Sequence, residues 1–341
     1  MPATGSTASS DVFALLLAAA LYADPAVAFT FQDPRISESS GLASSTDPGI
    51  VFTHNDSGDD ARFYAVDTAT GETRTVYELP GVQARDWEDM ARGPDEQGRS
   101  SLWLGDIGDN NARRDLGLLV HRIREPEPTD RERVTTEAPT SFRLRYTDGP
   151  GDAETLLVHP RTGRLYVVTK PLAGPAKVYA APERLDPDGP NALALVAEVE
   201  LERTGTEGGP NIGSLAQRLV TAGDISPDGR RVALRTYTDL YEWTVEGDDV
   251  AAAFDGDPQV SPLPETFQGE GLAYTADGTA VLTSTEGERA PVHRLVRQAP
   301  PPVEIAAPDE RRRWPYVVAG AVLALLLVVR GAARHRRYTR R

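Results

Sequence analysis

Carboxylates lead a phrase that recurs about every 50 residues along this chain, each followed by a short apolar run. The phrases are Glu38-Ser39-Ser40-Gly41-Leu42-Ala43, Asp86-Trp87-Glu88-Asp89-Met90-Ala91, Asp152-Ala153-Glu154-Thr155-Leu156-Leu157, Gly223-Asp224-Ile225-Ser226 and Glu270-Gly271-Leu272-Ala273-Tyr274. Brought to one place, Glu38, Glu88, Asp89, Glu154, Asp224 and Glu270 make a ring of like charges, which raise one another's pKa unless a cation neutralises them. A hard divalent ion, calcium above all, takes several such oxygen ligands at once. Acids that cap loops or accept backbone amides at a channel mouth account for any single one of them equally well.

A second polar set follows the next β-type run of each repeat: Asn55 and Asp56, Asp106, Lys170, Arg235 and Glu286. Two cations among acids suit a metal together with an anionic ligand such as phosphate or carboxylate. Salt bridges from Lys170 and Arg235 into the acidic ring explain the same pattern without a ligand. Two loops, His54 to Asp60 and Gly105 to Asn111, concentrate oxygen groups around glycine as calcium loops do, without EF-hand spacing. The histidines are scattered without metal-ligand spacing, there is no cysteine, and no nucleophile elbow, P-loop or dinucleotide fingerprint occurs.

The elements that position these residues read as strands. Turns such as His159-Pro160-Arg161-Thr162-Gly163, Ser226-Pro227-Asp228-Gly229, Thr275-Ala276-Asp277-Gly278 and Asp67-Thr68-Ala69-Thr70-Gly71 end in glycine. β-type runs follow them, as in Leu165 to Lys170, Val232 to Tyr237 and Ala280 to Glu286. No sustained helical period occurs in the body. Short strands repeating at this interval predict an all-β protein, a β-propeller of five blades, or six if the long third repeat hides another. Phe29 to Asp33 is expected to close the ring against Val292 to Val296.

Residues 29 to 297 resemble bacterial β-propellers of the phytase-like, esterase-like group, related to exported SGLA-type and NHL-like propellers. The resemblance rests on Ser40-Gly41-Leu42-Ala43, His54-Asn55-Asp56-Ser57-Gly58, Asp86-Trp87-Glu88-Asp89, Gly105 to Asn110 and Glu270-Gly271-Leu272. It implies a propeller whose channel, as in calcium-dependent phytases, binds metal and phosphate.

Residues 1 to 308 carry 27 basic against 49 acidic groups, a net of -22, which repels nucleic-acid phosphates and favours cations or partners with basic faces. From Trp314 to Val329 there is no charge. Sixteen residues at about 1.5 Å each reach roughly 24 Å, and Arg313, Arg330 and Trp314 at the ends extend that toward the roughly 30 Å hydrocarbon core. The expected organisation is a signal peptide (1–28) cleaved after Ala26-Val27-Ala28, the propeller (29–297), a Pro-rich spacer (298–313), a transmembrane helix (314–330) and a basic cytoplasmic tail (331–341). The positive-inside rule then sets the propeller outside a cell membrane that the chain crosses once. Two functions fit: a monomeric module binding a small anionic ligand or a protein partner around calcium, or a calcium-dependent hydrolase of phosphate or carboxylate esters in which Lys170 and Arg235 hold the anion.

Overall fold

The computed structural model describes residues 21–109, 117–127, 129 and 131–298. The expected spacer beyond 298, the transmembrane span and the tail lie outside these residues, as do Asn110 and Asn111. Among the described residues no helix is long and apolar enough to cross a membrane.

Strand β1 (Ala26–Thr30) precedes five four-stranded units. The first is β2 (Ser39–Ser44), β3 (Ile50–Asn55), β4 (Arg62–Asp67) and β5 (Thr73–Glu78). The second is β6 (Trp87–Pro94), β7 (Ser100–Asp106), β8 (Leu118–Arg124) and β10 (Thr140–Tyr146), interrupted by β9 (Arg133–Thr135), which lies parallel to β5. The third is β11 (Ala153–Val158), β12 (Leu165–Thr169), β13 (Ala176–Ala180) and β14 (Pro190–Val199). The fourth is β15 (Val220–Ile225), β16 (Arg231–Thr236), β17 (Asp239–Thr244) and β18 (Gln259–Pro262). The fifth is β19 (Leu272–Tyr274), β20 (Ala280–Thr283) and β21 (Pro291–Val296), completed by β1.

The first strands β2, β6, β11, β15 and β19 each pack against the next, and β19 returns to β2, so the units are the blades of a closed propeller. The length of the third repeat is not a sixth blade. It holds the ten-residue β14, which also pairs in parallel with β10, and the loop from Glu200 to Leu219.

Hydrophobic clusters fill the wedges between blades. Phe52, Phe63 and Tyr77 of blade one meet Trp87, Leu102 and Leu104 of blade two, and Val51, Tyr64 and Val66 of blade one meet Phe29, Leu282 and Val292 of blade five. Inner strands are covered on both faces, so β2 and β11 are buried throughout and cannot show the polar alternation of a half-exposed strand. The outer strand β10 does alternate. Gly163, Gly229 and Gly278, at φ of 68°, 66° and 66°, turn inner strands into second strands as expected. The turn at Asp67 to Gly71 instead joins β4 to β5.

Closure by the N-terminal strand occurs, but it starts earlier than expected. Ala26 and Val27 pair with Arg294 and His293, and Tyr22 bridges to Arg297. Ala26-Val27-Ala28 is therefore part of the last blade's outer strand.

Candidate functional site

The recurring acid owes its direction to a β-bulge. Register breaks between Trp87 and Asp89, between Ala153 and Thr155, between Val220 and Ala222, and between Ser39 and Leu42. In blade five Glu270 N donates to Ser284 O while Ser284 N donates to Gly271 O. A bulge leaves an extra residue unpaired and re-aims its side chain. The residues at these points are Ser40, Glu88, Glu154, Thr221 and Glu270.

Two residues before these positions stand Glu38, Asp86, Asp152 and Gln268, whose carbonyls accept from the chain just past the second strands. Asp56 N donates to Glu38 O at 2.9 Å, Lys170 N to Asp152 O at 3.0 Å, Glu286 N to Gln268 O at 2.8 Å and Gly108 N to Asp86 O at 3.3 Å. The mouth of the channel thus collects Glu38, Asp56, Asp86, Glu88, Asp152, Glu154, Glu270 and Glu286 around Lys170. Gly108 lets the carboxylates approach the backbone closely: a β-carbon there would lie 2.0 Å from Glu88 Oε1 and 2.6 Å from Asp86 Oδ2.

Two trios within this mouth have the spacing of a cation's ligands. Carboxylate oxygens of Asp56, Asp86 and Glu88 lie within 4.8 Å of one another, and so do those of Asp56, Glu270 and Glu286, with Asp56 common to both. Glu270 Oε2 is buried without a nitrogen or hydroxyl donor, and the Glu270 carboxyl faces that of Glu286, with which it can share a proton. Ionised carboxylates are acceptors only, so the facing oxygens of Asp56, Glu270 and Glu286 need a proton or a metal ion between them. Burial, then Glu154, Asp56, Asp86 and Glu270, hold the Glu88 carboxyl well above its usual range. Burial raises Glu154 and Glu270 to about 8, against the pull of Lys170. Asp56 and Glu286 are raised for the same first reason.

Lys170 Nζ bonds Glu154 Oε1 at 2.8 Å and lies 5.0 Å from the ring centroid of Tyr237. Burial works against its charge, but Glu154, Tyr237 and Glu270 outweigh it and keep the ammonium protonated.

The other expected ligands lie elsewhere or serve the frame. Asp89 accepts from Met90 N at 2.8 Å and from Leu156 N of blade three at 3.0 Å. Asp224 accepts from Ile225 N at 2.7 Å and from Tyr274 N of blade five at 2.8 Å. Both tie blades together, Asp89 fully buried and Asp224 half-buried, and desolvation lifts the Asp224 carboxyl to about 7. Thr221, three residues upstream of Asp224, occupies the ring position in blade four, its hydroxyl donating to Gly269 O. Arg235 is buried beneath Glu270, with Nη1 donating to Gly271 O and Ser284 O at 2.9 and 3.0 Å and Nε to Thr236 O. Burial lowers its pKa to about 10. Asn55 Oδ1 accepts from Ser37 N and Glu38 N, and Asp106 from Arg85 N and Asp86 N, so both shape the loops that carry the mouth acids. In the loop from His54 to Asp60, Asp59 pairs with Arg62, which leaves Asp56 as its contribution to the trios.

No family model matches the chain, and no curated protein does. Among solved structures it is similar to a gluconolactonase from Xanthomonas campestris, at 12% identity and a TM-score of 0.43 over 78% of this chain and 88% of that one. It is also similar to the protein U3-55K, at 10% identity and a TM-score of 0.35 over 76% and 67%. The class of protein is set by its own strands, an all-β propeller with a carboxylate-lined channel mouth.

Proposed function

We propose that the protein holds a hard divalent cation, calcium by the all-oxygen chemistry of the donors, at the channel mouth and uses it to bind an anionic ligand. The observation that carries this reading is the pair of trios sharing Asp56, with a buried Glu270 oxygen that no nitrogen or hydroxyl group meets. Asp56, Glu270 and Glu286 are one candidate ligand set, and Asp56, Asp86 and Glu88 the other. Lys170 sits at the same mouth as a second positive charge. Calcium titrated into the full chain should raise the melting temperature, with a stabilisation of about 2.7 kcal/mol at a hundredfold excess over Kd. Asp56→Asn belongs to both trios and should weaken binding more than Glu88→Gln or Glu270→Gln. No heat of binding and no thermal shift would remove the proposal.

A second reading, hydrolysis of phosphate or carboxylate esters, is favoured by the Glu154–Lys170 pair beside the trios. A carboxyl with a pKa near neutrality is suited to general acid and base work. Turnover of an ester panel that disappears with chelator and in Lys170→Ala would support it. As for location, the uncharged run at 314–329 and its flanking arginines support a membrane anchor with the propeller outside.

A further inference from the structure

The mouth is lopsided. Blade four offers Thr221 at the bulge, Leu219 two residues before it and Tyr237 past its second strand, where the neighbouring blades carry Glu154, Asp152 and Lys170 on one side and Glu270, Gln268 and Glu286 on the other. Around this uncharged sector stand three exposed apolar side chains. Leu172, 75% exposed, follows Lys170 on blade three; Ile212, 41% exposed, lies on the loop entering blade four; Phe267, 64% exposed, precedes Gln268 on the loop entering blade five.

Their loops are joined. Gly209 N donates to Thr266 O at 2.8 Å, and a β-carbon on Gly209 would lie 3.0 Å from that of Tyr237, which in turn carries Lys170 over its ring. The other large apolar side chains exposed among the described residues, Val27, Leu195, Val196, Val260 and Val296, are on β1, β14, β18 and β21. Single apolar residues on outer strands are ordinary, but three on the loops beside one sector of a polar opening offer apolar area to a partner there.

The geometry points to an amphiphilic anion as the ligand: an organic phosphate or carboxylate whose charged group meets the cation and Lys170, and whose apolar arm lies over blade four among Leu172, Ile212 and Phe267. The inference rests on the cation reading, because a mouth so rich in carboxylates repels a free anion, and a bound metal ion together with Lys170 supplies the positive charge to accept one. The rim supplies what the metal cannot, a preference for the uncharged part of the molecule.

The test is calorimetry on the full chain with saturating calcium, using linear alkyl phosphates and alkyl carboxylates of increasing chain length. Affinity should rise roughly three- to fourfold per methylene in at least one series, since each buried methylene contributes about 0.8 kcal/mol, and should vanish with chelator. Which series binds tells phosphate from carboxylate. The triple variant Leu172→Ser, Ile212→Ser, Phe267→Ser, and Phe267→Ser alone, should bind calcium as the parent does but flatten the chain-length dependence. A flat dependence in the parent, an unchanged one in the triple variant, or tighter binding of alkylammonium ions without calcium overturns the inference. Failure of calcium itself to bind removes the cation reading, and this inference with it, and is seen separately in the metal titration.

Discussion

Protonation decides what the mouth can hold. Glu154 and Glu270 have folded-state pKa values near 8, and Glu88, Asp56 and Glu286 are also raised, so between the ordinary carboxylate range and about pH 8 the folded protein binds more protons here than the unfolded chain. Stability from these groups therefore falls as pH rises through that window. A cation reverses this by taking the place of the protons. Without metal, the melting temperature should drop between pH 5 and pH 8, while the thermal shift produced by calcium should grow over the same interval. Melts at fixed ionic strength with and without calcium check both; a calcium shift that shrinks with rising pH would contradict proton displacement. Glu88, Glu154 and Glu270 were legible in the sequence as repeating acids. Asp86 and Asp152 were equally visible, since Asp86-x-Glu88 and Asp152-x-Glu154 share a spacing of two, but a carboxylate on a preceding loop carries no sign that it faces the same mouth.

At the scale of the element, the bulge separates acids that face the channel from acids that tie blades together. Glu88 and Asp89 are adjacent, yet one sits in the bulge and the other accepts two backbone amides, one from the next blade. Asp224 looks like a ring acid in the sequence because it precedes an apolar residue, but the bulge in its strand falls at Thr221. Strand type and turns were readable from β-branched runs and glycine-ended turns; the bulge was not, because it depends on how two strands align. Asp89→Ala should leave the Met90 and Leu156 amides without acceptors and destabilise the fold by about 2 kcal/mol or more. Its calcium affinity should stay within a few-fold of the parent. Urea melts and a calcium titration of the same variant separate the two effects, and a large loss of calcium binding at unchanged stability would return Asp89 to the site.

At the scale of the molecule, one interaction ties the N-terminal segment of the described residues into the ring. Tyr22 is 5% exposed, and its hydroxyl donates at 2.5 Å to Glu242 Oε2, which also accepts from Tyr274 at 2.7 Å. Ala23 N donates to Val296 O and Gln298 N to Leu21 O, so the chain entering the domain is paired with the chain leaving it. Strand β20 runs toward Glu286 at the mouth and β21 runs back, which puts Arg297 and Tyr22 on the opposite face of the propeller. A chain tethered through its C-terminal segment would accordingly leave the propeller from the end away from the acids. Processing after Ala28 would remove Tyr22 and divide β1, whereas a terminus at or before Leu21 keeps both. A chain starting at Phe29 should melt well below one starting at Leu21, and Tyr22→Ala should account for about 3 kcal/mol of the difference, the cost of deleting a buried aromatic side chain. Tyr22→Phe should cost less than Tyr22→Ala, because it keeps the ring and loses only the hydrogen bond to Glu242. Equal melting temperatures for the two starts would mean that the ring closes without this segment and that the folded domain begins at Phe29.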